Sequence, residues 1–402
     1  MINLEVPKKA GALINQAYQA AAEVFRPISR KYDRAEHTYP AELDMFAALL
    51  DGLNSSGEGG AGAAGVRRSG ADTAKGNRNG ANLNVVLGTI EMCWGDVGLL
   101  LSMPRQGLGN AAIGSVATDE QLERFSGLWA AMAITEPGCG SDSAAITTTA
   151  VEDGEDYILN GEKIFVTSGQ RADAVVVWAT LDKSKGRAAI KSFVVEKGTP
   201  GFEVVRVEHK LGIRASDTAV LRFENCRVPR ENLLGTPEID TAKGFAGVMQ
   251  TFDNTRPLVA AMAIGVARAA LEETRTILSS AGVTIDYDRP SVTQHAAAAA
   301  FLQLEADYEA AYLLTLESAW MADNRQPNSL QASMAKAKAG RSVVEITLKC
   351  VELAGVFGYT EESLLEKWAR DAKILDIFEG TQQIQQLIVA RRVLGKTSAQ
   401  LK

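Results

Sequence analysis

Residues 371–392 read DAKILDIFEGTQQIQQLIVARR and predict a turn that leads an acidic residue into the start of a helix. Apolar residues from Ile384 onward recur at helical spacing, and either Thr381 or Gly380 suits the N-cap position of that helix. Glu379 then lies on a turn whose backbone freedom comes from Gly380. Its carboxylate is either a solvated acid favoured by the helix dipole or a side chain held in place for chemistry.

The composition is that of a soluble globular protein and argues against several kinds of site. A chain of 402 residues is long enough for two or three packed units. The formal charge of -7 comes without any basic block, so nothing in the sequence favours binding to nucleic acid. The cysteines have neither CxxC nor metal-ligand spacing, which indicates free thiols in a reducing compartment. They are Cys93, Cys139, Cys226 and Cys350.

Targeting segments and membrane spans are not visible in the sequence. The N-terminus has no basic region followed by an apolar stretch, so we expect no secretory signal. The apolar stretch 85–103 is interrupted by Glu91 and Asp96, which predicts a buried helix and no membrane span. We therefore expect a cytoplasmic protein.

Helical and β-rich patterns follow one another in three blocks. Residues 9–53 and 83–128 have helical spacing, and the glycine-rich segment 54–82 between them predicts a loop. Short β-rich runs fill 144–228 and predict a small antiparallel β-barrel or sandwich. These runs are Ile146–Val151, Tyr157–Val166, Ala174–Thr180, Ile190–Val195, Phe202–Val207 and Ala219–Phe223.

The rest of the chain, from Gly244 onward, is helical again and resembles a four-helix bundle, with breaks at 281–291, 323–328 and 355–361. The order of helices, a small β unit and more helices defines an α+β fold. The predicted domains are an N-terminal helical domain over 1–128, a middle β domain over 129–240 and a C-terminal helical domain over 241–402.

Three further runs carry residues suited to binding. In AMAITEPGCGSD, residues 131–142, the hydroxyls of Thr135 and Ser141 and the amides of the Gly138–Ser141 turn form a cluster of donors without a cation. Such donors suit a ring carbonyl or a phosphate oxygen, although a plain turn between strands has the same pattern.

The other two runs also have simple structural interpretations. GEKIFVTSG places Phe165 and Thr167 two apart on one strand face, where they could contact a flat ring, while a core phenylalanine is the ordinary alternative. TFDNTRP places Asp253 and Arg256 within reach of each other, as in a structural ion pair.

Together these runs resemble the acyl-CoA dehydrogenase family. TEPGCGSD, KIFVTSG, KLGIRASDT at 210–218, FDNTRP and RDAKI with FEGTQQIQ occur in that family's order and spacing from about residue 80 to the end. Each motif alone is weak, but five in order make chance improbable. The resemblance implies FAD as cofactor, an acyl-CoA as substrate, an electron-transfer flavoprotein as acceptor and a tetrameric assembly.

The resemblance also assigns roles to individual residues. Glu379 looks like the base that removes the pro-R α-proton, while the β-hydrogen leaves as hydride to flavin N5 and a trans-2-enoyl-CoA forms. Its backbone amide and a flavin ribityl hydroxyl would hold the thioester oxygen. Thr255 lies where some family members carry their base, which leaves Glu379 as the candidate here. The remaining matched positions are Met132, Ile134, Thr135, Ser141, Phe165, Thr167, Thr381 and Gln383 for the cofactor, and Ser141, Asp253, Arg256 and Gly380 for the substrate.

Two motifs of the family are missing. Its Arg-x-x-Phe-Gly run reaches across a dimer interface to the flavin pyrophosphate, but Ala281 holds the arginine position here. Its Gln-x-x-Gly-Gly run begins with Glu352 here, and a carboxylate repels a pyrophosphate. Either Arg289 substitutes from a rearranged loop, or a paralogous subunit supplies the arginine in an obligate heteromer.

Several alternatives stay open at this point. The assembly is either a homotetramer or a heterotetramer with a paralogous subunit. The chain itself is either a dehydrogenase or a weakly catalytic, flavin-poor partner subunit of a heteromer. A flavin monooxygenase or oxidase on the same fold is a further alternative, against which the intact PheGluGlyThr run argues. Acyl chain length depends on the depth of a pocket that Trp94 and Met103 could close. His37, His209 and His295 have no metal spacing, so no metal is expected.

Overall fold

The structure is a computed structural model in which helices, a curled sheet and a second set of helices follow one another. This is the α+β fold that the sequence predicts. The residues described are 4–55, 80–105, 107–239, 246–397 and 400, and within them the side chains of 49–55 and 246–254 are not described.

The described residues before the sheet form seven α-helices. A π-helical turn, Ala21–Phe25, joins the first two helices into one rod. The last of the seven begins with a capping box, in which Thr118 and Gln121 each accept a hydrogen bond from the other's backbone N–H. The helices are α1 Gly11–Ala20, α2 Arg26–Arg34, α3 Glu42–Ser55, α4 Ala81–Gly95, α5 Val97–Leu101, α6 Leu108–Val116 and α7 Asp119–Arg124.

The glycine-rich segment predicted over 54–82 lies mostly outside the described residues, which resume at Gly80. Helix α4 is buried along nearly its whole length, as the sequence predicts. Its one acidic residue, Glu91, accepts two hydrogen bonds of 2.7 and 2.5 Å from Arg268 of the C-terminal helices. This pairing explains how a charged side chain is accommodated inside the core.

The sheet contains the six predicted strands and one that the sequence analysis missed. The missed strand is β1, whose last three residues open the run 131–142 that has the pattern of a turn between strands. The strands are β1 Ala130–Ala133, β2 Thr149–Asp153, β3 Asp156–Thr167, β4 Ala174–Thr180, β5 Ile190–Glu196, β6 Phe202–Val207 and β7 Thr218–Pro229.

The strand order is β1-β4-β2-β3-β7-β6, and β5 pairs antiparallel with β4 along its whole length, Ala174–Thr180. The prediction of an antiparallel unit is correct for most pairs, but β1 and β2 run parallel to β4. In the chain, the antiparallel hairpin of β2 and β3 lies between β1 and β4. After this hairpin, β4 pairs with β1 in the parallel direction.

The C-terminal helices end where the sequence predicts. The loops after α8 and α9 coincide with the predicted breaks at 281–291 and 323–328, and a single turn, α11, lies inside the break at 355–361. The helices are α8 Ala246–Ser280, α9 Ala296–Asp323, α10 Ser329–Ala354, α11 Val356–Tyr359, α12 Leu365–Leu375 and α13 Gln382–Leu394.

Two large apolar cores hold these parts together. One core joins the N-terminal helices to α8, α9, α10 and α12, and another lies within the sheet. Because the two sets of helices share one core, they form one packed unit beside the sheet. The domain boundaries at 128/129 and 240/241 stay predictions.

A buried ionic network fixes the start of the stretch 371–392. Lys367 donates to Asp96 at 2.7 Å and to Asp371 at 2.6 Å, and all three side chains are buried. Asp371 also accepts the backbone N–H of Ile213 at 2.5 Å. Helix α12 is therefore tied to the N-terminal helices and to the loop before β7, which places the turn that follows it. In the described part of the chain, no helix is both long enough and apolar enough to span a membrane.

Candidate active site

Glu379 lies on a turn between α12 and α13 whose backbone is left-handed at two successive residues. The φ angle is 56° at Glu379 and 90° at Gly380. Glycine suits position 380 because other residues are strained at this φ, and a Cβ there would also lie 2.4 Å from Nε2 of Gln385. A left-handed non-glycine residue such as Glu379 costs about 1–3 kcal/mol and persists only where its surroundings hold it.

Three side chains hold this turn. Thr381 is the N-cap of α13 and accepts the N–H of Ile384 at 3.4 Å, as the sequence predicts. Lys336 donates from Nζ to the carbonyl oxygen of Gly380 at 2.8 Å. Nε2 of Gln385 is shared between the carbonyl oxygens of Glu379, at 3.1 Å, and Gly380, at 3.2 Å. The main-chain path of the turn is therefore fixed from α10 and from α13.

The Glu379 carboxylate points toward α8. The hydroxyl of Thr255 donates to its Oε2 at 3.0 Å. Burial raises the pKa of the Glu379 carboxyl above its ordinary value, while the Thr255 hydrogen bond and the positive charges of Arg256 and Lys336 oppose the rise. The side chain is half-buried and acidic, with a pKa moved toward the range of a general base.

Two of these residues, Lys336 and Gln385, were missed by the sequence analysis. Lys336 lies in the run MAKAKAG of α10, and Gln385 lies in the run QQIQQL of α13. Each run contains other residues of the same type that are equally good candidates. No spacing rule distinguishes them, because the contact depends on how α10, α12 and α13 pack.

The turn between β1 and β2 is organised by Glu136. Its carboxylate accepts hydrogen bonds from the backbone and hydroxyl groups of Thr147 and Thr148, and from Nζ of Lys163 at 2.8 Å. Burial alone would raise the pKa of Glu136, but the Lys163 charge and these hydrogen bonds lower it to about 2. This pair of buried charges joins the turn to β3.

The donors predicted in this turn are mostly open. The amides of Gly138, Gly140 and Ser141 donate no hydrogen bond to another described residue, whereas that of Cys139 donates to the carbonyl oxygen of Glu136 at 3.1 Å. The Ser141 side chain is exposed. Three of the four amides in the turn are therefore free to bind a ligand from solvent.

Phe165 and Thr167 flank the buried Val166 on β3, with Phe165 exposed and Thr167 half-buried; that they share one strand face stays a prediction. A β-bulge precedes Val166, and Phe165 adopts a φ of 59° on it. Its ring is 62% exposed, which is unusual for a phenylalanine on a strand. An exposed aromatic ring beside a hydroxyl and a row of open amides fits a flat group with polar edges.

The positions of the remaining residues predicted to bind the cofactor give little information about a ligand. The Met132 and Ile134 side chains pack on an apolar cluster that includes Trp178. Gln383 is exposed on α13, and the Thr381 hydroxyl is engaged in the helix cap. Their contacts with a cofactor stay predictions.

The two residues predicted to contact the CoA moiety differ in what the structure describes. Arg256 is 3% exposed and close enough to Glu379 to affect its pKa. The side chain of Asp253 lies outside the description. Their predicted contacts stay predictions.

Two bulky residues suggested as the end of a substrate pocket are engaged in the helical core. Met103 is buried in the core that the helices share. The Trp94 ring lies 3.9 Å from the guanidinium carbon of Arg26, and its Nε1 donates to Glu272 at 2.6 Å. Trp94 thus contacts α2 and the outer part of α8.

Two histidines that are far apart in sequence meet in the fold. His37 Nε2 lies 3.4 Å from His209 Nδ1, which lies 3.0 Å from a carboxylate oxygen of Glu36. The three could hold a metal ion by geometry. Burial and the charges of Lys210 and Arg171 lower the pKa of His37, and the same charges disfavour a divalent ion. The expectation of no metal stays a prediction.

In the segments where the two family motifs are missing, the charged side chains contact residues of their own segment. Arg289 donates to the carbonyl oxygen of Thr293, four residues further along the same loop. Glu352 is exposed on α10 and pairs with Lys349 at 2.5 Å. Both side chains therefore have partners within their own segment.

Comparison with known proteins places this chain in a family. The family models "Acyl-CoA dehydrogenase, middle domain" and "Acyl-CoA dehydrogenase, C-terminal domain" match residues 131–226 and 242–394. The short-chain specific acyl-CoA dehydrogenase of Clostridium acetobutylicum is 35% identical over 305 residues, which are 74% of this chain and 78% of that protein. Subunit CarC of the caffeyl-CoA reductase-Etf complex of Acetobacterium woodii is 35% identical over 308 residues, which are 75% and 79% of the two chains.

The fold agrees with these matches. The butyryl-CoA dehydrogenase of Megasphaera elsdenii superposes with a TM-score of 0.82 at 28% identity, covering 98% of this chain and 100% of that one. Matches to the rat and mouse mitochondrial short-chain specific enzymes span 62% of their own length. The chain belongs to the acyl-CoA dehydrogenase family of FAD-dependent oxidoreductases. The exposed ring of Phe165 and the open amides of Gly138, Gly140 and Ser141 fit FAD, because they offer an apolar face and donors for its polar atoms.

Proposed function

We propose that this chain converts an acyl-CoA thioester to a trans-2-enoyl-CoA, with Glu379 as the base that takes the α-proton. When bound, FAD supplies the acceptor for the β-hydride, which no side chain can provide. The observation that carries the proposal is the Glu379 carboxylate, which is half-buried, hydrogen-bonded to Thr255 and raised in pKa.

The environment of Glu379 suits removal of a weakly acidic proton. A carboxylate at its ordinary pKa is a feeble base, and an acyl chain that expels water raises that pKa further. Oε2 accepts the Thr255 hydroxyl, whereas Oε1 accepts no hydrogen bond from another described residue. Oε1 is therefore the atom that we assign to accept the α-proton.

The negative charge that develops on the thioester oxygen needs a fixed donor. The backbone N–H of Glu379 makes no hydrogen bond to another described residue, and the left-handed backbone of the turn holds it in one direction. A donor placed before the reaction stabilises an enolate without reorganisation. We assign this amide to the thioester oxygen.

The remaining contacts of the substrate follow from the family resemblance. Ser141 and Gly380 would contact the thioester end, and Asp253 and Arg256 the CoA moiety. Two relatives are named for short-chain or butyryl substrates, so butyryl-CoA is the first substrate to try. A role in β-oxidation of short acyl chains follows from the same reasoning.

The electron acceptor and the assembly are also part of the proposal. The name of the Acetobacterium woodii relative places it in a complex with Etf, which supports an electron-transfer flavoprotein as the acceptor here. We propose a cytoplasmic tetramer, either of this chain alone or with a paralogous subunit.

One observation favours the heteromeric form. The segment that carries the family's pyrophosphate-binding arginine contains Ala281, Asp286 and Asp288 here, and the guanidinium of Arg289 donates to its own loop. Two carboxylates in that segment repel a pyrophosphate. A neighbouring paralogue that supplies the arginine would complete the FAD site of this chain.

An absorption spectrum of the chain purified alone, before and after anaerobic addition of butyryl-CoA, octanoyl-CoA or hexadecanoyl-CoA, tests both points. Bound flavin that bleaches with one of them supports the dehydrogenase and argues against an obligate heteromer. Colourless protein that gains flavin only on co-expression with a paralogue supports the heteromer. Flavin that stays oxidised with all three thioesters in both preparations contradicts the proposed activity.

A further inference from the structure

Lys336 is a fully buried lysine inside the proposed active site. It lies on α10, which packs against α8, α12 and α13, and its side chain has no exposed surface. Its ammonium group reaches the turn that carries the base and donates to the Gly380 carbonyl oxygen at 2.8 Å. None of the steps assigned above to Glu379 uses this group.

The charges that face Lys336 come from two directions. Asp376 and Glu379, on either side of the turn after α12, attract its charge, and Arg256 of α8 repels it. Burial outweighs these attractions and lowers the pKa of Lys336 to about 8, so the ammonium is present at neutral pH. A cation that is costly to bury is thus held close to the base.

The two functions of this group can be separated. As a donor it fixes the carbonyl of Gly380, and Gln385 fixes both carbonyls of the turn from the other side. As a charge it lies within electrostatic reach of the Glu379 carboxylate and stabilises its ionised form. Only an ionised carboxylate can accept the α-proton.

We propose that Lys336 is a positioning residue for Glu379, which fixes the turn through the Gly380 carbonyl and keeps the carboxylate ionised through its positive charge. This inference rests on the proposed role of Glu379 as the base. The lysine keeps its own proton throughout: the α-proton moves to Glu379, and the C–H electron pair goes into the new double bond as the β-hydride leaves for FAD.

Three variants separate charge from hydrogen bonding. Lys336→Met removes both, Lys336→Gln removes the charge but keeps a donor, and Lys336→Arg keeps the charge. Lys338→Met is the matched control, because Lys338 lies on the same helix and pairs at the surface with Asp307 at 2.5 Å. Circular dichroism and flavin content report whether each variant folds.

The first readout does not depend on turnover. Infrared titration of the carboxyl stretch, after subtraction of the Glu379→Gln spectrum, gives the pKa of Glu379 in each variant. We expect Lys336→Met and Lys336→Gln to raise it by about one unit, the lower range for loss of one nearby opposite charge, and Lys336→Arg and Lys338→Met to leave it unchanged.

The second readout is the anaerobic rate of flavin bleaching against pH, with whichever of butyryl-CoA, octanoyl-CoA or hexadecanoyl-CoA reduces the wild type. In Lys336→Met and Lys336→Gln, the acidic limb of the pH–rate profile moves to higher pH together with the infrared pKa of Glu379. At a pH below that limb, the rate then falls about tenfold for a shift of one unit. An unchanged Glu379 titration in Lys336→Gln overturns the proposal, as does an equal loss of rate at every pH.

The two proposals fail in different ways. A shifted titration in protein that no acyl-CoA reduces contradicts the proposed function and leaves the electrostatic role of Lys336 supported. Normal turnover in the wild type and an unshifted titration in the variants contradict the role of Lys336 alone. If Lys336→Met does not fold, Lys336→Gln against Lys336→Arg still gives the same comparison.

Discussion

The hydroxyl of Thr255 donates a 3.0 Å hydrogen bond to Oε2 of Glu379, although the two residues are 124 positions apart. Helix α8 supplies the threonine and the turn before α13 supplies the glutamate. The family resemblance implies that some members carry their base at the position of Thr255. In this chain that position holds a threonine whose hydroxyl binds the carboxylate of Glu379, the base that we propose.

Replacing Thr255 with valine removes the hydroxyl at nearly constant volume. Because that hydrogen bond lowers the pKa of Glu379, we expect its loss to raise this pKa by about one unit, which is the shift that about 1.4 kcal/mol represents. The acidic limb of the bleaching rate then moves to higher pH, while the rate well above the limb changes little. Thr276→Val, at an exposed site on the same helix, is the control. A limb that stays in place in T255V contradicts this role.

Replacing Glu379 with glutamine tests the base itself. The amide keeps the size of the side chain and cannot accept the α-proton, so we expect flavin bleaching to slow by about 10²–10⁴-fold, the usual contribution of a general base. Flavin content stays at the wild-type level, because no cofactor contact is assigned to the carboxylate. Glu362→Gln at an exposed position is the control. Bleaching at the wild-type rate in E379Q would falsify the assignment.

The sequence predicts the parts of this site that are local in the chain. The turn at Glu379, its glycine and the Thr381 cap follow from spacing over a few residues, and the structure agrees. The same holds for the helix breaks and for six of the strands. The short strand Ala130–Ala133 was missed because four residues give too little alternation to count.

Contacts between distant helices could not be predicted in the same way. Helical spacing gives the buried face of α10 but not which residue of that face meets the turn, so Lys336 could not be told from Lys338. The Glu136–Lys163 pair was hidden for a similar reason, since it depends on the pairing of β3 with the turn after β1. Tertiary packing decides both cases.

Replacing Gly380 with alanine tests the backbone of the turn. An alanine at a φ of 90° is strained, and its Cβ would lie 2.4 Å from Nε2 of Gln385. We expect a loss of about 1–3 kcal/mol in the free energy of unfolding and a larger fractional loss of activity, because Glu379 moves with the turn. Urea unfolding and flavin bleaching measure the two effects.

The double variant Gly380→Ala, Gln385→Ala, compared with Gln385→Ala alone, isolates the backbone strain. Both lack the side chain that clashes and its two hydrogen bonds to the turn, so the difference in stability between them comes from the strain at position 380. Gly114→Ala is the control, because a Cβ there meets no atom within 4 Å. Full activity in G380A would show that the left-handed turn does not position the base.

Replacing Glu136 with glutamine leaves the Lys163 ammonium buried without its counter-charge. We expect this variant to lose about 3–5 kcal/mol of stability at neutral pH, and the double variant with Lys163→Met to lose less, because a complete buried pair is cheaper to remove than one partner. Urea unfolding measures both, with the exposed Glu152→Gln as control. Equal losses in the single and double variants contradict the pairing.

The same pair makes a specific contribution to acid stability. The folded pKa of Glu136, about 2, lies below its ordinary value of 4.5, so this stabilisation is present above pH 4.5 and is lost as the pH falls toward 2. We expect the wild type to lose about 3 kcal/mol from this group across that window. In E136Q, the free energy of unfolding lacks this part of its decrease as the pH falls.

The burial of charged Lys336, in contrast, lowers the stability of the folded chain. Its folded pKa of about 8 lies below its ordinary value of 10.5, so between these values the unfolded chain binds more protons and stability rises with pH. Below pH 8 the full penalty is present, and Lys336→Met removes it at the loss of one hydrogen bond worth about 1 kcal/mol. We therefore expect K336M to be about 2 kcal/mol more stable than the wild type at pH 7.

Urea unfolding at pH 7 and at pH 10 measures this difference. The advantage of K336M shrinks at pH 10, where the wild-type lysine is neutral in the folded chain and the penalty has largely gone. A variant that is less stable than the wild type at both values means that the ammonium holds the fold together. A variant that gains stability and loses its ability to bleach flavin in the acidic limb means that the charge is kept near Glu379 at the expense of the fold.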